Sequence, residues 1–302
     1  THDGGATWTL ATLPGLPEFA RIHQVVTSPV DGDVAYAACH NFFAGDFKPY
    51  LYKTADGGAH WTLINANLPT EHGSTYTIGV DEVDADLLFV GTMSGVYVSN
   101  TPQIAWVKLK AGLPATAQVA SLEIQRDEHD LVVSTFGRGV FILDDYTPLR
   151  RLTAQTLADS ATLFPVSDVP MFVAADPLGF RGVGFQGAAF YSAPNPEIGA
   201  AITWYVKDDY KSLEKQRNAA EKKLQEAGKD VPYPTYDVLK KEAAEEEPYL
   251  LFVITDADGH ALRKIRQSIK AGVQRLTWDF RTSPVQPISV DPPGDRAPWD
   301  DP

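Results

Sequence analysis

The sequence is poor in cysteine, in long apolar runs and in positive charge. Cys39 is the single cysteine among 302 residues, which excludes an intrachain disulfide. No apolar run approaches the roughly 18 residues that a membrane-spanning helix requires, so we expect no transmembrane segment. Lys and Arg number 26 against 39 Asp and Glu, which gives a net charge of −13. Because nucleic-acid phosphates bind clusters of Lys and Arg, this balance argues against a nucleic-acid partner.

Sequence motifs for metals and cofactors are missing as well. The seven histidines are scattered along the chain and never have the spacing of a zinc site. The sequence contains no nucleophile elbow, no phosphate-binding loop and no dinucleotide fingerprint. We therefore expect neither a metal nor a cofactor.

The sequence does contain an internal repeat. Residues 1–8 and 54–61 share the pattern Thr-x-Asp-Gly-Gly-Ala-x-Trp, and residues 99–106 are a decayed copy that keeps the tryptophan. The three tryptophans are 53 and 45 residues apart, which is the length of one four-stranded propeller blade. Between the copies, short apolar runs alternate with Gly, Asp and Pro, a pattern that is typical of antiparallel strands.

The repeated pattern predicts a hairpin turn held by its own side chains. A carboxylate at Asp3 or Asp56 can accept backbone N–H groups inside a tight turn. The glycine two positions later supplies a positive φ without steric cost, and the tryptophan is expected to pack between sheets. In the decayed copy Thr101 and Gln103 replace the Asp and the Gly. We assign a structural role, not a catalytic one, to Asp3, Gly5, Trp8, Asp56, Gly58, Trp61 and Trp106.

Residues 1–150 resemble bacterial Asp-box (BNR-repeat) propellers of the sortilin-like and xyloglucanase-like glycosyl hydrolase superfamily. The resemblance rests on the two complete boxes and on the phrases at 45–54, 88–99 and 134–145. It implies a mostly β chain that begins with about three four-stranded blades at the C-terminal end of a propeller. Since the chain begins inside a box, we expect the remaining blades upstream.

The second half resembles the immunoglobulin- or fibronectin type III-like sandwich that follows the propeller in such proteins. The resemblance is carried by residues 195–205, 253–259 and 271–281. It implies a linker at 151–168 and a β-sandwich at 169–302, with a Pro-rich tail at 284–302.

Residues 208–247 interrupt the sandwich and are dense in Lys and Glu. Leu213, Ala220, Leu224 and Ala227 recur at three- and four-residue spacing, which predicts one thin apolar seam along a helix. A second, shorter helix is predicted around Leu239. This helical hairpin is either a solvated pair of helices or a docking surface for a partner.

The loop at residues 40–47 is the candidate ligand-binding segment, because it combines aromatic rings, an imidazole and a carboxylate. Rings that stack on sugars beside hydrogen-bonding groups are a common way to hold a glycan, although such rings also pack against neighbouring blades. Arg138 lies in a Gly-Arg-Gly turn and either faces the channel or pairs with Asp144 or Asp145. The candidate ligand-binding residues are His40, Phe42, Phe43, Asp46 and Arg138.

Two functions are compatible with these observations. The first is a secreted or cell-surface binding or scaffold module for a protein or glycan partner, located outside the cell or in the periplasm. The alternative is a glycoside hydrolase, which needs two carboxylates roughly 5–10 Å apart. Asp46 and Glu123 are conceivable members of such a pair, but the catalytic residues stay unassigned.

Overall fold

The computed structural model describes residues 1, 3–101, 104–110, 112–171, 193 and 195–283. Gln103 of the decayed box, the predicted tail at 284–302 and part of the predicted sandwich lie outside this range. The chain is mostly β and divides into two compact units, Thr1–Ala158 and Asp159–Pro302. The boundary falls inside the segment predicted as a linker.

The first unit contains three antiparallel sheets in which strands adjacent in sequence pair with each other. The first sheet has the order β1-β2-β3-β4, the second has the order β5-β6-β7-β8, and the third has the order β11-β10-β9. The strands are β1 (Arg21–Thr27), β2 (Ala35–Asn41), β3 (Asp46–Thr54), β4 (Thr62–Leu63), β5 (Thr75–Val80), β6 (Leu87–Thr92), β7 (Gly95–Asn100), β8 (Val107–Lys108), β9 (Val119–Gln125), β10 (Asp130–Thr135) and β11 (Gly139–Leu143).

Side-chain hydrogen bonds join the first strands of successive sheets. The Ile78 amide of β5 donates to Gln24 Oε1 of β1 at 2.8 Å. The Leu122 amide of β9 donates to Thr77 Oγ1 of β5 at 3.2 Å. The inner strands of the three sheets therefore lie side by side, with the remaining strands following outward. Four-stranded meanders arranged in this way are the blades of a propeller, so the unit is a partial propeller-like fold.

Apolar residues of neighbouring sheets form the core between them. One cluster joins the first two sheets through residues such as Tyr36, Leu51 and Ile78. A second joins the second and third sheets through Phe89 and Leu131. Burial of such side chains stabilises the fold by about 1.5–3 kcal/mol each.

The third sheet has three strands among the described residues. The chain turns immediately after β11, where Asp145 adopts a positive φ of 41°. A 3-10 helix, Thr147–Arg151, follows at once, with a proline in its first turn. Proline fixes φ and favours this helical start over a continued strand. A short helix, α1 (Ala154–Ala158), ends the unit.

The described residues of the second unit form a three-stranded sheet and a two-stranded hairpin. The three-stranded sheet has the order β12-β13-β16, and β14 pairs with β15. The rings of Trp204 and Phe252 lie 4.8 Å apart and connect the two sheets. The immunoglobulin-like assignment of this unit stays a prediction. The strands are β12 (Ala161–Leu163), β13 (Ala200–Val206), β14 (Tyr249–Thr255), β15 (Ala261–Ser268) and β16 (Gly272–Trp278).

A pair of helices, α2 (Leu213–Glu226) and α3 (Tyr236–Ala243), separates β13 from β14. Neither helix has a buried residue. Charge joins them instead, because Arg217 donates to Glu242 at 2.7 and 3.0 Å and to Glu221 at 2.7 Å. The inserted helical hairpin thus has the composition of a solvated arm and not of a packed core.

Candidate functional site

The carboxylate of Asp56 is used entirely by its own turn. The His60 amide donates to Oδ1 at 2.9 Å, and His60 Nδ1 lies 2.6 Å from Oδ2. The Thr54 hydroxyl donates to Oδ1 at 2.8 Å. The hydrogen bond from the His60 amide is the largest cause that lowers the pKa of Asp56, to about 2. Gly58 follows with a φ of 94°, which an L side chain rarely adopts.

Asp3 makes the equivalent contacts in the first copy. The Thr7 hydroxyl donates to Oδ2 at 2.6 Å, and the Thr7 amide donates to Oδ1 at 2.9 Å. These bonds, led by the one from the hydroxyl, lower the pKa of Asp3 to about 2. Gly5 has a φ of 97°. Each carboxylate therefore binds its own turn, and none of these contacts runs between Asp3 and Asp56.

The three box tryptophans are placed differently. Trp61 is partly buried against the first sheet, whereas Trp106 is only 3% exposed. Trp8 is 78% exposed, so its expected packing between sheets is not formed. The reason is that residues 8–10 pair with no strand among the described residues.

The decayed box is held by a residue from another turn. Asn67 Oδ1 accepts the Trp106 amide at 2.8 Å, and Asn67 Nδ2 donates to the Trp106 carbonyl at 2.7 Å. The Trp106 indole donates to the Ile64 carbonyl at 2.9 Å. The amide side chain of Asn67 thereby holds the tryptophan of a box that has no aspartate.

The predicted ligand-binding loop lies at one end of the first sheet and is part of an aromatic cluster. His40 is the penultimate residue of β2, and a 3-10 helix, Phe42–Ala44, follows that strand. The rings of Phe42 and Phe43 lie 4.7 and 6.0 Å from the His40 ring, and 4.1 Å from each other. Of the five predicted ligand-binding residues, the structure brings His40, Phe42 and Phe43 together.

Three further residues belong to this cluster and were not predicted from the sequence. Arg21 lies 4.4 Å from the centre of the Phe43 ring. The His23 ring lies 5.5 Å from that of His40 and 5.6 Å from that of Tyr76. Tyr76, at the start of β5, also lies 5.2 Å from His40. Arg21 and His23 lie two positions apart on β1, and no local pattern in the sequence relates this strand to the loop at 40–47.

The cluster has an exposed upper layer and a buried floor. Phe43 is 67% exposed, and Arg21 and His23 are exposed beside it. Below them, His40 is 3% exposed and Tyr76 is 4% exposed. The Nδ1 atom of His40 and the hydroxyl of Tyr76 are both buried without a hydrogen-bond partner. An unpaired buried polar group destabilises the fold by about 1–3 kcal/mol. Two such groups on rings that contact each other therefore call for a functional or structural explanation.

The electrostatics of the floor follow from this placement. Burial is the main cause that lowers the pKa of His40, and the positive charges of His23 and Arg21 lower it further. Burial also raises the pKa of Tyr76. Both groups are therefore held in their neutral forms. A neutral imidazole and a phenol can each still donate one hydrogen bond.

Asp46 belongs to the same loop, but its carboxylate accepts hydrogen bonds from residues outside the aromatic cluster. The Tyr50 hydroxyl donates to Oδ2 at 2.6 Å, and the Lys48 amide donates to Oδ1 at 3.2 Å. Burial alone would raise the pKa of Asp46, but these hydrogen bonds and the Lys48 charge outweigh it and lower the pKa. Asp46 also borders a cavity of about 300 Å³ together with Phe47 and His72, among others.

Arg138 and Glu123 lie on the third sheet. Arg138 is exposed in the β10–β11 turn. Glu123 lies in the middle of β9, opposite Val132. Neither residue contacts the aromatic cluster among the described residues, and Asp46 and Glu123 belong to different sheets.

One group of side chains has the ligand types of a metal site. Atoms of Asp256, Asp258 and His260 lie within 4.8 Å of one another in the β14–β15 turn. The His260 amide donates to Asp256 Oδ1 at 2.8 Å, and the His260 ring lies 3.1 Å from Oδ2. These are the contacts that Asp56 makes with His60, so the carboxylate of Asp256 is engaged in holding its own turn.

The helical pair borders an open cavity of about 640 Å³, which is lined by residues including Asp209, Tyr210 and Gln216. A partner for this surface stays a prediction. In the part of the chain that the structure describes, no helix is both long enough and apolar enough to cross a bilayer.

Comparison with known proteins yields partial structural likenesses. No protein-family model matches the chain, and no curated protein matches it. Among solved structures, the chain is similar to the GH74 enzyme of Niastella koreensis, with 16% identity and a TM-score of 0.34 over 40% of this chain. It is also similar to an ancestral GH74 enzyme, with 14% identity and a TM-score of 0.32 over 40% of this chain.

The matched part spans 21% and 17% of the lengths of those two enzymes. The mostly β, propeller-like architecture of the first unit therefore rests on the strand order and pairing described above.

Proposed function

We propose that this chain belongs to a secreted or cell-surface propeller-type module that binds a glycan, and that the cluster around Phe43 is its binding surface. The observation that carries the proposal is the exposed Phe43 ring above two buried polar atoms without partners, His40 Nδ1 and the Tyr76 hydroxyl. Ligand sites commonly combine apolar and aromatic walls with a few polar groups that fix orientation.

The aromatic part of the cluster suits a sugar ring. Phe43 stands out from the sheet end, and Phe42 supports it from 4.1 Å. A supported aromatic ring loses little conformational freedom on binding, which is favourable for affinity. The polar atoms of the floor would then select hydroxyl or other polar groups of the ligand.

Binding without hydrolysis is favoured over the alternative of a glycoside hydrolase. A hydrolase of this kind needs a general acid whose pKa is raised. The pKa of Asp46 is lowered instead, and its oxygens are occupied by Tyr50 and Lys48. The pKa is likewise lowered at Asp3, Asp56, Asp81, Glu242 and Asp256.

The test is a calorimetric titration of the full chain with soluble glycans, including a panel of β-glucans. We expect Phe43→Ala to weaken binding roughly tenfold, the effect of losing a central aromatic contact. The matched control is Phe136→Ala, since Phe136 is similarly exposed in the β10–β11 turn and lies outside the cluster. Equal losses in both variants, or no binding of any glycan, would refute the proposal.

An assay for released reducing sugar separates the two functions. A binding module leaves every glycan of the panel intact. Release of sugar that Asp46→Asn abolishes would instead establish the hydrolase.

A further inference from the structure

The cluster around Phe43 offers hydrogen-bond donors and positive charge. Arg21 contributes a guanidinium, which has five N–H donors and no acceptor. Tyr76 contributes a hydroxyl whose own hydrogen is unused, and His40 a ring nitrogen without a partner. His23 adds a second imidazole beside that of His40.

No acidic side chain neutralises this group among the described residues. Arg21 has no ion-pair partner in that part of the chain, and its positive charge adds to burial in lowering the pKa of His40. Asp46, the carboxylate on the same loop, is bound to Tyr50. The surplus of donors is unusual here because the chain as a whole carries a net charge of −13.

We infer that the ligand of this site is an anionic saccharide, whose carboxylate or sulfate group is bound by Arg21 while its ring lies against Phe43. The inference rests on the proposed glycan-binding function and goes beyond it, because it states the charge of the ligand. An oxyanion accepts hydrogen bonds only, so it complements a set of donors, and a planar guanidinium can bind two of its oxygens at once.

The exposed layer and the buried floor of the cluster have separate roles in binding such a ligand. Arg21 and His23 are exposed and meet the oxyanion first. The Phe42 ring lies 4.7 Å from that of His40 and 6.0 Å from that of Tyr76. A ligand group that reaches the floor would give the Tyr76 hydroxyl the acceptor that it lacks and would give His40 Nδ1 a hydrogen-bond partner.

The experiment compares three polysaccharides on the full chain by calorimetry. Polygalacturonate carries carboxylates, dextran sulfate carries sulfate esters, and dextran is neutral. We expect at least one anionic polymer to bind roughly tenfold more tightly than dextran, with an affinity that falls as salt is raised. The preference between the two anionic polymers identifies the oxyanion.

Arg21→Gln is the decisive variant. It should reduce the affinity for the preferred anionic polymer roughly tenfold or more, the size of a lost charge-assisted pair. Arg126→Gln is the control, because it removes the same charge from an exposed side chain at the β9–β10 turn. Tyr76→Phe tests the floor, since it removes one unpaired hydroxyl and keeps the ring; we expect weaker binding with unchanged folding.

The outcomes separate this inference from the proposed function. If a neutral glycan binds in a Phe43-dependent way and Arg21→Gln leaves the affinity unchanged, the site binds glycans. The inference that its ligand is anionic is then wrong. Equal losses of affinity in Arg21→Gln and Arg126→Gln would show that binding depends only on the overall charge of the chain, and would overturn the inference. If neither neutral nor anionic glycans bind, both proposals fall together.

Discussion

Arg150 and Asp81 form a two-point ion pair inside the first unit, with Arg150 Nη2 at 2.8 Å and Nε at 3.1 Å from Asp81 Oδ2. The Asp81 side chain is fully buried. The Tyr146 hydroxyl donates to the same oxygen at 2.7 Å, and the amides of Val83 and Asp84 donate to Oδ1. The pair therefore joins the turn after β5 to the 3-10 helix that follows the third sheet.

Removing Arg150 should destabilise the first unit strongly. Arg150→Ala leaves the Asp81 carboxylate buried and without its counter-charge, which costs about 3–5 kcal/mol. Hydrogen exchange of the β5 and β6 amides in increasing urea would measure the free energy of unfolding. Arg126→Ala is the control, since its 4.0 Å pair with Glu82 is exposed on the Arg126 side and contributes at most about 1 kcal/mol. Equal effects of the two substitutions would contradict the assigned role.

Asp56 should make the first unit sensitive to acid. Hydrogen bonds lower its folded-state pKa from 3.8 to about 2, so its contribution is present above pH 3.8 and is lost as the pH falls toward about 2. We expect the thermal unfolding midpoint of Asp56→Asn to fall less over this window than that of the unsubstituted chain.

Asp3→Asn is the control for this experiment. Its pKa is lowered to the same value, but the turn stands apart from the sheets, because Trp8 is exposed. The turn can therefore open without unfolding the sheets. A pH profile of Asp56→Asn that runs parallel to that of the unsubstituted chain would show that the Asp56 turn is also uncoupled from the sheet.

The box tryptophans should differ in their contribution to stability. Trp106 is 3% exposed and is bound by Asn67 and Ile64, so Trp106→Ala should cost about 3–5 kcal/mol. Trp8→Ala should change the free energy of unfolding by no more than about 0.5 kcal/mol, as for other exposed positions. Urea unfolding followed by circular dichroism would measure both, and a large loss in Trp8→Ala would place that indole in an interface.

Much of the fold could be predicted because its signals are local or periodic. The turn contacts of Asp56 involve residues at most four positions away, and the spacing of Leu213 and Leu224 indicated α2. The three sheets of the first unit follow the tryptophan repeat.

The candidate site could be predicted only in part. The loop containing His40, Phe42 and Phe43 was selected for its composition. Arg21, His23 and Tyr76 were not, because β1 and β5 carry them and nothing in their local sequence indicates which strand ends meet.

The sequence by itself determined the turns, the helices and the strand repeat of this protein, because each depends on hydrogen bonds and apolar spacing among near neighbours in the chain. Only the tertiary structure decided which strand ends meet. It placed Tyr76 of the second sheet against His40 of the first, and it brought Arg150 to Asp81, 69 positions away. These contacts arise from the stacking of one sheet on the next, which joins residues that no local pattern relates.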